Sequence, residues 1–245
     1  MSMLKDKVIL ITGASRGMGA LMAQKMAEAG ARIIVNYAGG KADADKVVDD
    51  IRKSGGDAIA VQADVSKPDQ VKSLFNDAIA WYGHVDVLVN NAGIMHTKLL
   101  KDNTDEDFTL HYDINVRGIF NTLREAATRL ADNGTIINFS SSVKRLMLPT
   151  YAIYSSTKAA VEQLTRVFAK EVGRGINVNA VAPGPTNTEL FVKGKTKDMI
   201  DRLASLSAFN RIGEPIDTVR VVMFLASDQA KWISAQTIAV NGGMA

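Results

Sequence analysis

Short apolar runs rich in β-branched residues alternate along the chain with longer stretches in which apolar positions recur every three to four residues. Residues 7–12, 32–36, 58–62, 85–90, 135–140, 177–182 and 237–240 read as strands, and most are apolar almost throughout, as parallel strands covered on both faces are. Between them, 17–29, 42–54, 68–82, 105–130, 151–172 and 216–225 carry the helical spacing. Strict strand–helix alternation predicts an α/β fold: one doubly wound parallel sheet of seven strands with helices on both faces. Ligands of such sheets gather at the carboxyl ends of the strands. The one long irregular stretch, 183–211, is expected to act as a lid at about 185–211.

With 245 residues, 47% of them hydrophobic and 22% charged, the chain reads as a single domain over 1–245. No internal repeat or linker divides it. No run of 18 apolar residues occurs, and the stretch 1–7 lacks an apolar signal core. A cytoplasmic protein without a membrane partner is expected. There is no cysteine, which excludes disulfides, thiolate metal sites and a cysteine nucleophile; no metal is expected, and redox chemistry would need a borrowed cofactor. A net charge of +3 is scattered rather than banded, which argues against nucleic acid and suits a small anionic ligand.

The first strand runs into Thr12-Gly13-Ala14-Ser15-Arg16-Gly17-Met18-Gly19 and then a helix. Glycines at such a turn let backbone approach a pyrophosphate, and the helix N-terminus offers free N–H groups and partial positive charge. The spacing is G-x-x-x-G-x-G rather than G-x-G-x-x-G, so its strand–turn–helix setting carries the inference. Residues 13–17 also satisfy G-x-S-x-G, the hydrolase nucleophile elbow. A hydrolase needs a histidine base after that serine, and His84, His96 and His111 all lie in the first half without triad context.

An NAD site places an acid about 20 residues past the glycine turn to hold the ribose 2′-hydroxyl. Here the second strand ends Asn36-Tyr37-Ala38, and no acid follows before Asp43. Arg16 and Lys41 offer positive charge instead, so NADP(H) is favoured over NAD(H).

Tyr154 and Lys158 stand four apart in a helical stretch, which places phenol and ammonium on one face. The cation is expected to stabilise the phenolate and bring the tyrosine toward working pH. Together these features resemble the short-chain dehydrogenase/reductase family over essentially the whole chain. The resemblance rests on residues 12–19, Asp64, Asn90-Asn91-Ala92-Gly93, Asn115, Ser141, Tyr154-x-x-x-Lys158, and Pro183-Gly184 with Thr188.

That resemblance implies a Rossmann-type sheet and hydride transfer between a nicotinamide and a carbonyl or alcohol, with Asn115, Ser141, Tyr154 and Lys158 as the catalytic set. Tyr154 would exchange a proton with the substrate oxygen, Ser141 would hydrogen-bond it, Lys158 would also hold the nicotinamide ribose, and Asn115 would hold a water in a relay from the lysine. Ser141 is selected from Ser140, Ser141 and Ser142 by the family's spacing. Cofactor contacts are expected from Gly13, Ser15, Arg16, Gly17, Met18, Gly19, Asn36, Tyr37, Ala38, Asp64, Val65, Asn91, Ala92, Gly93, Tyr154, Lys158, Pro183, Gly184, Thr186 and Thr188, with Asn90 structural. A homotetramer, or a dimer, is implied.

The substrate is a small carbonyl or alcohol. A general NADPH-dependent ketone reductase is the first reading, and a 3-oxoacyl-[acyl-carrier-protein] reductase the alternative. Against the latter, Asp132-Asn133-Gly134 replaces the basic residue that often precedes the fifth strand, although Arg124, Arg129 and Arg174 remain as docking cations. A catalytically inactive NADP-binding relative is a further alternative.

Overall fold

The computed structural model describes residues 3–245; Met1 and Ser2, part of the stretch read as lacking a signal core, lie outside the described residues. Seven strands, β1 (Val8–Ile11), β2 (Arg32–Tyr37), β3 (Asp57–Gln62), β4 (Val87–Asn90), β5 (Thr135–Phe139), β6 (Asn177–Pro183) and β7 (Thr237–Val240), form one sheet. Its order is β3-β2-β1-β4-β5-β6-β7, and every neighbouring pair is parallel.

The apolar runs are continuous because both faces are covered. Strand alternation sends Ile9 and Ile11 into a core with Met22 and Met26 of α1 (Gly17–Glu28), Val47 and Ile51 of α2 (Lys41–Lys53) and Val222 of α10 (Pro215–Ala226). Val8 and Leu10 point the other way, into a core with Leu74 and Phe75 of α3 (Pro68–Tyr82), Leu123 of α5 (Gly118–Arg129) and Val161 of α7 (Ala152–Glu171). Local signals set the helix ends: Pro68 opens α3, left-handed Gly83 closes it, and Thr104 with Asp107 forms a capping box on α4 (Asp105–Tyr112).

β1 and β4 are neighbours, yet the chain leaves them in opposite directions across the sheet. Their carboxyl ends therefore open a crevice at the switch point. The glycine turn leaves β1 on one side of it and Asn91-Ala92-Gly93 leaves β4 on the other.

Two expectations need correction. The single helix read over 105–130 is broken: α4 and α5 are separated by a π turn over Asp113–Arg117. Periodicity alone cannot show such an inserted residue, which here rotates Asn115 into the interior. The stretch 183–211 is not irregular throughout, since Pro183 ends β6 and the stretch carries α8 (Glu189–Val192) and α9 (Lys197–Ala204), whose caps are the Thr188 and Thr196 hydroxyls. A further short helix, α6 (Val143–Leu146), follows β5.

Candidate active site

The glycine turn is built by close approach. A Cβ on Gly13 would lie 2.9 Å from Ala92 Cα, and one on Gly19 would lie 2.5 Å from Gly13 O, so neither position tolerates a side chain without rearrangement. Thr12 Oγ1 accepts from the N–H groups of Asn91 and Ala92, while Asn91 Nδ2 donates to the carbonyls of Thr12 and Gly13. Asn91 and Ala92 thus brace the turn against the β4 loop.

The helix it opens is receptive to an anion. No side chain caps the N-terminus of α1 and no acid stands in its first turn. Gly17 has open space where a side chain would be, and Ser15, partly exposed, and Arg16, exposed, precede it; Met18 packs partly against the core. These features fit a nucleotide pyrophosphate.

Several expected cofactor contacts have their side chains turned inward. Asn36 is buried, accepts from Gly13 N and donates to the Val61 and Ala63 carbonyls, and Tyr37 lies in the core; only Ala38 of that strand end is exposed. Val65 packs against Gly118, while Asp64 accepts from Ser66 N and remains partly exposed. Thr186 Oγ1 donates to Gly184 O, and Thr188 caps α8. At these positions a ligand would meet main chain, because the side chains are occupied in holding it there.

At the carboxyl ends of β4 and β5, four elements converge. Tyr154 and Lys158 lie on α7, with Lys158 Nζ 5.7 Å from the Tyr154 ring centre. Lys158 is 4% exposed, and its ammonium donates to Phe139 O at 2.8 Å. Ser141 stands near enough to the Tyr154 phenol for its hydroxyl to lower the phenol's pKa. Its neighbours are engaged elsewhere: Ser140 Oγ donates to Glu162 Oε1 at 2.7 Å, and Ser142 Oγ donates to Ala182 O while accepting from Asn241 Nδ2. A Cβ on Gly93 would lie 3.2 Å from Asn115 Oδ1 and 3.6 Å from Lys158 Nζ, so the β4 loop passes directly over both.

Asn115 is fully buried. It accepts from Ile94 N at 2.9 Å and donates to Ile94 O and to Thr157 Oγ1, which in turn donates to Tyr154 O. Both of its donors serve protein groups, so the side chain clamps the β4 loop to α7.

Burial pushes the Tyr154 phenol up to about 12, with the Ser141 hydroxyl opposing the rise and Tyr151 adding to it. Burial lowers the Lys158 ammonium to about 8. The phenol is raised rather than lowered beside its neighbour, because desolvation acts on both groups and the ammonium is turned toward Phe139 O. The phenol therefore stands at neutral pH as a proton donor.

Known proteins resemble this chain in sequence and in fold. The family profile described as enoyl-(acyl carrier protein) reductase matches residues 13–245. Versicolorin reductase stcU of Emericella nidulans is 42% identical, covering 98% of this chain and 96% of that protein. The NADPH-dependent aldehyde reductase-like protein of Arabidopsis thaliana is 43% identical over 98% of this chain and 94% of its own. A short-chain dehydrogenase/reductase from Serratia marcescens superposes with a TM-score of 0.94 at 31% identity, covering 99% of each chain. The chain belongs to the short-chain dehydrogenase/reductase family. The angucycline C-6 ketoreductase LanV with bound NADP superposes on this family member at a TM-score of 0.93 and 36% identity, covering 99% of this chain and 97% of that one.

Two of the three histidines of this dehydrogenase/reductase are engaged away from Ser15. His84 pairs with Asp86, which holds Val8 N at the amino end of the sheet, and both ring nitrogens of His111 are engaged elsewhere. Two of the three candidate docking arginines are structural: Arg129 bonds Lys72 O, Asn76 and Glu125, and Arg174 bonds Asp132 and the Ala127 and Leu130 carbonyls. Among the described residues, no helix is long and apolar enough to cross a membrane.

Sequence reasoning missed Thr157, Glu162 and His111. Thr157 stands three positions after Tyr154, and that helical offset was the available signal.

Proposed function

We propose that this oxidoreductase is an NADPH-dependent ketone reductase working as a single domain, with the stretch 185–211 closing over its substrate. The observation that carries the reading is the convergence of Tyr154, Ser141 and Lys158 beside Gly93, at the edge of the crevice opened by the glycine turn.

The preference for NADPH rests on Arg16, which is exposed and forms no ion pair among the described residues, and on the absence of an acid between Asn36 and Asp43. Lys41, the other candidate cation, is paired with Asp45 at 2.5 Å, so Arg16 is the better partner for a 2′-phosphate. The NADPH named in the Arabidopsis relative and the NADP bound to LanV support this.

When bound, the nicotinamide supplies a hydride to the carbonyl carbon. Ser141 orients the carbonyl oxygen, and Tyr154, held protonated by burial, gives its proton to that oxygen as negative charge develops. The products are the alcohol and a tyrosinate, which the Lys158 charge stabilises until solvent returns the proton. Asn115, through Thr157 and Ile94, fixes the distance between the β4 loop and the catalytic helix.

Apolar side chains remain exposed on three helices of one face: Phe108 on α4, Phe120 on α5 and Val167 on α7. They support self-association, as a dimer or tetramer.

The test is a panel of ketones, quinones and β-ketoacyl thioesters with NADPH and NADH, run on the wild type and Tyr154→Phe. Ketone-dependent NADPH oxidation is expected, falling by about 10²–10⁴-fold in the variant while nucleotide binding persists. Full activity of Tyr154→Phe would remove the assigned role of the hydroxyl.

A further inference from the structure

Between Gly93 and Lys98 alternate N–H groups of the β4 loop point at acceptors. Ile94 N donates to Asn115 Oδ1 at 2.9 Å, His96 N to His111 Nε2 at 3.0 Å, and Lys98 N to Thr150 O at 3.0 Å. The side chains at 111 and 115 thus meet loop positions 96 and 94, and the main chain at Thr150 meets 98, so the loop is pinned at every second residue.

The His111 rung has a fixed chemistry. The ring is fully buried, and Nδ1 lies 2.7 Å from Asp107 O, a carbonyl that only accepts, so Nδ1 carries the hydrogen. Nε2 must then be the bare nitrogen, as its acceptance from His96 N requires. A second proton would set an N–H against the His96 N–H and cancel the rung. The titratable groups beside it are His96, whose ring stands edge-on at 5.3 Å, Asp107 on its own helix, and Lys98 paired with Asp107 at 2.6 Å.

We propose that His111 is a positioning residue for substrate: its neutral ring pins the loop 94–98 that runs from Gly93, over Lys158, to Thr150 beside Tyr151, and protonating the ring releases that edge of the ketone site without disturbing the nucleotide. The kinetic part rests on the ketone-reductase reading; the pinning itself does not.

Two measurements test it. In His111→Phe, which keeps a ring but no acceptor, ketone KM is expected to rise about fivefold to tenfold with kcat and NADPH affinity near wild type, as the loss of one hydrogen bond implies. His111→Gln, which restores an acceptor near the ε position, should recover most of the loss. Wild-type KM should also rise on acidification, and this limb should be absent in His111→Gln. Independently of turnover, protection from hydrogen exchange at 94–98, taken relative to the intrinsic rate at each pH, should fall in wild type at acid pH and in His111→Phe at any pH. An acid limb that persists in His111→Gln, or protection indifferent to both pH and His111→Phe, overturns the proposal. If His111→Phe does not fold, the wild-type exchange profile decides alone; a wild type inert toward every ketone but with pH-dependent exchange at 94–98 would sink the reductase reading and leave the pin standing.

Discussion

Burying the Lys158 ammonium opposes folding, and the chain tolerates this where chemistry needs the charge. The unfolded chain holds that proton up to about 10.5, the folded chain only to about 8. Between those values the unfolded state binds more protons, so this group's contribution makes stability rise with pH across that window. Lys158→Met is therefore expected to be more stable than wild type near pH 7, by about 1–3 kcal/mol, while losing turnover. Urea unfolding at several pH values checks this: the advantage should shrink as pH climbs toward about 10.5, and a difference independent of pH would contradict it. Tyr154 has the opposite sign. Its proton is held more tightly in the folded state, so its contribution to stability declines only above about 10.

At the scale of elements, the glycine turn separates two kinds of constraint. At Gly19 a Cβ would strike Gly13 O and Asn91 Nδ2, whereas at Gly17 the space is open but φ is +56°. Gly19→Ala should cost about 1–3 kcal/mol and weaken NADPH binding about tenfold or more, because the turn must shift. Gly17→Ala should cost about 1–2 kcal/mol of backbone strain. Calorimetric titration with NADPH and thermal melts order the two; equal binding in Gly19→Ala and wild type would mean that the turn does not hold the nucleotide.

What could be read in advance follows the same division. The glycine turn and the Tyr154–Lys158 pair are local patterns, fixed by strand-to-helix geometry and by the pitch of one helix, and the structure places them as the spacing implies. Asn36 was legible as a residue at a strand end, but whether it touches a ligand depends on Gly13, Val61 and Ala63, which two other segments bring to it. The π turn escaped for a related reason: its stabilising contacts to Ile94 and Thr157 come from elsewhere in the chain. Glu162 reads as an ordinary polar helix position, yet only 2% of it is exposed, and it joins Ser140 to Lys144 at 2.9 Å and Arg166 at 3.3 Å. Replacing it with alanine strands the largely buried Lys144 and should cost about 3–5 kcal/mol, measurable by denaturant unfolding.

For the whole molecule, the all-parallel sheet gathers loops from every part of the chain at one edge, while the faces of α4, α5 and α7 are left for other work. Phe120 is 48% exposed and Val167 45%, too apolar a pair to stand in water without consequence. Phe120→Glu combined with Val167→Glu is expected to shift sedimentation toward the monomer while leaving the NADPH site folded. An unchanged sedimentation profile would place the contact elsewhere.

The Ser142 corner has a bearing on biosynthesis. Its hydroxyl reaches Ala182 on β6 and is met by Asn241, which follows β7. In a nascent polypeptide the serine next to the proton-donating machinery lacks its second anchor until Asn241 has been translated. Catalytic competence is then a late event of synthesis, arriving with the final strand rather than growing in proportion to the length translated.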